Sequence, residues 1–109
     1  KNIRKAPFRV SHIRTFRAGL YHRIADQDPE FNCMKDKDGN WYNITYDVAI
    51  CTPMLEMAGF THVKHNTTPL YFYNRHNPIS DDKISQKAQW AVHDEINTKK
   101  HFKIIENYK

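Results

Sequence analysis

The side chains with the most chemical potential in this sequence are few and scattered. Asp47 stands at the head of an apolar stretch, where its carboxylate can cap the backbone N–H groups that open a helix. Arg14 and Arg17 lie close together on a predicted first helix and could reach a phosphate or an acceptor; Arg17 reads as part of a solvated face. Arg75 and His76 are neighbours at the end of an aromatic run and read, from the residues alone, as a surface pair at a strand end. Trp41 and Tyr42 offer flat faces on which a sugar ring could stack, although core packing is the commoner fate of such aromatics.

Other constellations are excluded by spacing. Seven histidines invite a metal reading, but His62 and His65, the i, i+3 pair, lie where no helix is predicted, and no H-E-x-x-H pattern occurs. They read as surface histidines. Asp36, Asp38 and Asn40 copy the opening of a calcium loop, yet the glycine is misplaced and the closing glutamate is missing. Three glycines cannot supply a phosphate-cradling loop, and no G-x-S-x-G elbow or cysteine-protease signature is present. The sequons at Asn43 and Asn66 would matter only in a secretory lumen.

Cys33 and Cys51 make neither a disulfide scaffold nor a C-x-x-C zinc site, and a reducing, cytoplasmic compartment is the default expectation. No apolar run approaches the roughly 20 residues of a membrane span, and no cleavable signal peptide is visible. The chain opens on Lys1 rather than Met, as an excised segment or a processed form would. Its 109 residues suit one small domain, or part of a larger one. The net charge of +5 favours polyanions only where it is concentrated. Acids are interspersed almost throughout; the exception is residues 1–23, which carry Lys1, Arg4, Lys5, Arg9, Arg14, Arg17 and Arg23 with no acid.

The elements that must position these residues follow from periodicity. Ile13, Phe16, Leu20 and Ile24 fall at helical spacing and predict a first helix over 12–24, with Ser11 as cap and Gly19 a weak point. Asp36 to Asn40 reads as a turn centred on Asp38-Gly39, followed by a short strand over 41–46. A second helix is predicted over 47–58, with an apolar stripe of Val48, Cys51, Leu55 and Ala58. Pro53 predicts a kink or a late start at Thr52, and Gly59 a stop. Residues 68–74 read as a strand opened by Pro69. Ser80 caps a third helix with Asp81 and Asp82 in its first turn, Ile84, Ala88, Val92 and Ile96 on its core face, and Lys99 and Lys100 near its end. Residues 101–109 read as a less ordered tail. The sum is a mixed α/β chain of three helices whose strands are too few for a self-sufficient sheet.

Three segments together resemble a known family. They are residues 12–21 (H-I-R-T-F-R-A-G-L-Y), 45–59 (T-Y-D-V-A-I-C-T-P-M-L-E-M-A-G) and 69–80 (P-L-Y-F-Y-N-R-H-N-P-I-S). Their order and spacing look like the C-terminal half of a family-2-type glycosyltransferase of the GT-A fold, over roughly residues 8–85. There, a helix with arginine and phenylalanine is followed by a helix of the form D-x-A-x-x-x-P-x-L-E-x-A and a closing strand that begins P-L-Y-x-Y. The resemblance implies transfer of a sugar from a nucleotide-diphosphate sugar to the hydroxyl of a sugar or protein acceptor. It implies Asp47 as general base, since an inverting transfer needs a carboxylate to take the hydroxyl proton; Tyr46-Asp47 stands where a Glu-Asp pair is more usual. It implies that Arg75 and His76 meet the diphosphate, His76 directly or as a metal ligand; Arg14 and Trp41 join the expected substrate-binding residues from the reading of the residues alone. It places the nucleotide-binding units and the D-x-D motif for Mn²⁺ or Mg²⁺ N-terminal to this chain, as another portion of the same protein.

Two other classes compete. A small basic nucleic-acid-binding module draws on the charge, the acid-free residues 1–23 and Tyr71 and Tyr73. It lacks any RRM, KH or zinc-finger signature, and nucleic acid is the weaker expectation. A non-catalytic interaction domain that keeps a glycosyltransferase surface is the third reading.

Overall fold

The computed structural model describes residues 2–6, 13–71 and 86–106. About half of these are helical. The predicted first helix is two short ones, α1 (Ala18–His22) and α2 (Ile24–Gln27), joined at Arg23. Residues 14–17 are not helical, and Arg17 has extended backbone. The reason lies in packing. Ile13 and Phe16, half the apolar face, are exposed, and a helix end without a buried face does not sustain itself. Ser11 lies outside the described residues.

The second helix, α3 (Tyr46–Ala58), starts before Asp47 and runs through Pro53, so no late start occurs. Pro53 brings no N–H for the Ala49 carbonyl, but burial of its ring within the helix's surroundings offsets that loss. Eight of the 13 residues are buried, on most sides of the helix rather than along one stripe. Gly59 ends it at φ 69°, a backbone region that a side chain disfavours.

The third predicted helix is α4 (Gln86–Asn97); Ser80, Asp81, Asp82 and Ile84 lie outside the described residues. Ile96 is fully buried and Val92 packs beside it, whereas Ala88 is exposed. Lys99 and Lys100 follow the helix rather than closing its last turn.

The expected strands are largely absent. The Asp-Gly turn forms as predicted, with Gly39 at φ 83° and the Asp36 N–H donating to the Asn40 carbonyl at 2.8 Å. It closes only a single antiparallel bridge between Lys35 and Trp41, and among the described residues there is no strand. Residues 43–45 bend instead, because Thr45 turns into left-handed backbone before α3. Residues 68–71 are exposed and irregular, and 72–74 lie outside the described residues.

The core has two centres, both served by α3. One gathers Ile24, Cys33, Met34, Met54, Met57 and Ile105. The other joins Val48 and Ala49 to Ile96 of α4, with Tyr42 packed against it. All three methionines of the chain are in the first centre, where an unbranched side chain fills the irregular space between short helices. The segment read as a tail packs over 102–105. Ile105 is buried and its N–H donates to the Met57 carbonyl at 2.8 Å, while the Lys103 N–H donates to Gln27 Oε1 at 2.7 Å. Among the described residues no helix is long and apolar enough to cross a membrane.

Candidate functional site

The head of α3 brings together two of the sequence-derived candidates, Arg14 and Asp47. Thr45, the residue before the helix, has φ 57° and ψ 18°. A β-branched residue in this region is a true outlier, and such backbone costs on the order of 1–3 kcal/mol and clusters at functional sites. It is held by its hydroxyl, which donates to the Gln89 carbonyl of α4 at 3.3 Å.

Asp47 follows in the first turn, where the helix dipole favours a negative charge. Its Oδ1 accepts from the Val48 N–H at 2.9 Å, and its Oδ2 accepts from Arg14 Nη1 at 3.1 Å. The capping role expected of Asp47 is not met: the helix is flanked by Thr45, whose side chain makes no capping bond. Asp47 sits inside the first turn, with one oxygen on the next residue's N–H and the other on Arg14. A carboxylate offers about four acceptor positions, so both oxygens keep capacity, and the side chain is 43% exposed. Arg14 lies deeper, and its Nη1 also points at Cys51 Sγ at 3.7 Å. Burial works against its charge, but the bonds to Cys51 and Asp47 outweigh burial and raise its pKa above the ordinary value. Its Nε is buried and has no hydrogen-bond partner. Burial pushes the Cys51 thiol up, more than Arg14 pulls it down, so this cysteine is a poor nucleophile.

The other carboxylate of α3 has a different fate. Glu56 is 8% exposed and both oxygens are engaged. Oε2 accepts from Arg4 Nε at 3.0 Å, and Oε1 accepts from Arg4 Nη2 at 2.7 Å and from the Phe102 N–H at 3.0 Å. Sequence reading missed this pair; the signal was an arginine in residues 1–23 and a glutamate on an apolar helix, and nothing local joins them.

Trp41 is exposed, with Lys35 Nζ 4.7 Å from its ring centre. It lines a cavity of about 230 Å³ that includes neither Arg14 nor Asp47. Tyr42, its neighbour in that wall, donates its hydroxyl to Glu95 Oε1 at 2.7 Å. Burial, reinforced by that bond, raises its pKa. Arg75 and His76 lie outside the described residues, so their expected diphosphate and metal roles have no geometry here. Among the described residues, no group of three or more His, Cys, Asp or Glu side chains could hold a metal ion. Sequence reading thus found Arg14 and Asp47 singly, while Cys51, Thr45 and the Tyr42–Glu95 bond emerge only from the fold.

Comparison with family models, with curated proteins and with solved structures gave no match.

Proposed function

We propose that this chain is the acceptor-side part of a nucleotide-sugar-dependent glycosyltransferase, with Asp47 as the general base. The observation that carries the reading is the Arg14–Asp47 pair, 33 residues apart in sequence and 3.1 Å apart in space. These residues come from two of the three segments that resemble the family. Of the two carboxylates on α3, Glu56 is consumed by buried contacts and Asp47 keeps accessible acceptor capacity.

In the proposed reaction the acceptor hydroxyl oxygen bonds to the anomeric carbon of the donor. The bond from that carbon to the diphosphate oxygen breaks, and the nucleoside diphosphate leaves with its electron pair. Asp47 takes the hydroxyl proton, which makes the oxygen a stronger nucleophile as the new bond forms. Arg14 fixes the carboxylate's orientation. Donor nucleotide, Mn²⁺ or Mg²⁺, and Arg75 and His76 at the diphosphate belong to the same proposal. Since no described group fits a metal, no step here runs through one.

The test is donor turnover with a panel of nucleotide-diphosphate sugars and acceptors, using the chain joined to the N-terminal nucleotide-binding portion that the reading calls for. Transfer should occur and should fall about 10²–10⁴-fold in Asp47→Asn. Undiminished transfer by Asp47→Asn, or none by the parent with any donor, would remove the base assignment.

A further inference from the structure

The cavity beside Trp41 stands apart from the rest of this basic chain. Three of its walls carry carboxylates, Asp36, Asp38 and Glu95, against one amine, Lys37. The chain as a whole carries +5. Two further ammonium groups stand against its aromatic walls, Lys35 at Trp41 and Lys99 at Tyr42, so the three carboxylates are matched in number and the cavity carries no large net charge.

The walls are fixed before any ligand arrives. Asp36 Oδ1 accepts from the backbone N–H groups of Asp38 and Asn40, both at 2.9 Å, which locks the turn and leaves its other oxygen available. Tyr42 is held by Glu95 through its hydroxyl and by Lys99, whose Nζ sits 5.4 Å from the ring centre. Lys99 is itself anchored on the Asn32 carbonyl at 2.7 Å. Lys35 steadies the Trp41 indole by a cation–π contact. Even so, 61% of Trp41 remains in solvent, a large apolar face that the fold does not use.

An exposed indole flanked by carboxylates and the Asn43 amide matches the two-faced chemistry of a pyranose. The ring's C–H face packs on an aromatic surface, and its hydroxyls donate to carboxylates and exchange hydrogen bonds with an amide. At about 230 Å³ the cavity is smaller than the roughly 300–1,000 Å³ of sites for drug-sized ligands, which fits one ring rather than an oligosaccharide. Its lining includes Asn43 and Ile44, which immediately precede Thr45 and the head of α3 in the chain.

We propose that this cavity binds a single uncharged pyranose ring, stacked on Trp41, as the subsite for the acceptor sugar. The role as acceptor subsite rests on the glycosyltransferase reading; the binding itself does not. The experiment follows the two indole N–H signals of the chain, Trp41 and Trp90, by NMR while simple methyl pyranosides are added. The series is the glucoside, galactoside and mannoside, then the glucosaminide and the glucuronide. A saturable shift of Trp41 is expected with at least one neutral glycoside, with Trp90 unmoved, and binding of the charged glucosaminide and glucuronide should be weaker. Trp41→Ala should abolish binding while the rest of the spectrum shows the fold intact. No saturable Trp41 response to any neutral glycoside would overturn the proposal. Transfer activity without a Trp41 response would sink the subsite alone; glycoside binding without Asp47-dependent transfer would sink the base assignment alone.

Discussion

Asp28 shows how single residues here trade burial against hydrogen bonding. Burial alone would raise its carboxyl pKa, but N–H groups from Cys33 and Asn32, at 2.8 and 3.0 Å, outweigh it and hold the pKa below its ordinary value. The neighbouring Cys33 thiol is pushed up to about 12, by burial first and by Asp28 second. Because the folded-state carboxyl is the stronger acid, its contribution is complete above the unfolded pKa near 3.8 and is lost as pH falls through the folded value. Asp28→Ala should therefore cost about 1 kcal/mol at neutral pH, and the gap from the parent should shrink below about pH 4, as measured by urea unfolding across pH. At this scale the sequence exposes identities but not pairings. Asp47 and Arg14 stand out as residue types, whereas their contact depends on how two segments 33 residues apart pack.

At the scale of elements, what could be read was what local rules determine. The Asp38-Gly39 turn, the Gly59 stop and the span of α3 follow from backbone preference and apolar spacing. The strands do not, since β-rich composition gives a ladder only where a partner strand exists, and around Trp41 one bridge is all that forms. The first helix is shortened for a like reason, its leading apolar residues having nothing to pack on. Residues 102–105 reverse the case. Three of these four residues are apolar, and Ile105 is seated in the first core centre with Phe102 packed against it and its N–H on the Met57 carbonyl. Ile105→Ala should destabilise the chain by about 2–5 kcal/mol in chemical unfolding, the cost of a large-to-small change in a packed site. A loss under about 0.5 kcal/mol, the size of a surface substitution, would mean that the segment does not pack.

On the scale of the molecule, Arg4 gathers distant parts of the chain. Besides its two bonds to Glu56, its Nη1 donates to the Ile96 and Lys99 carbonyls at 2.7 and 3.2 Å and its Nη2 to Lys100 at 2.9 Å. It thus places a positive charge at the C-terminal end of α4, where the dipole favours one. Removing one partner of such a buried pair leaves the other uncompensated, so Arg4→Ala should cost about 3–5 kcal/mol in thermal or urea unfolding. Arg4→Lys should recover little of this, because an ammonium cannot reproduce the bidentate geometry. The charge of the acid-free residues 1–23 reads differently in this light. Arg4, Arg14 and Arg23 are all paired with acids, Glu56, Asp47 and Asp26, which leaves less of a basic surface for nucleic acid than the sequence suggests.

The most direct measurement compares two substitutions on the same helix, Asp47→Asn and Glu56→Gln, for stability and for glycosyl transfer per folded molecule. Asp47→Asn should unfold within about 1 kcal/mol of the parent, as a half-exposed first-turn residue does, and should lose transfer about 10²–10⁴-fold. Glu56→Gln should lose stability by about 3 kcal/mol or more and keep transfer in the fraction that remains folded. Transfer that survives in Asp47→Asn and disappears in folded Glu56→Gln would contradict the assignment of the two carboxylates.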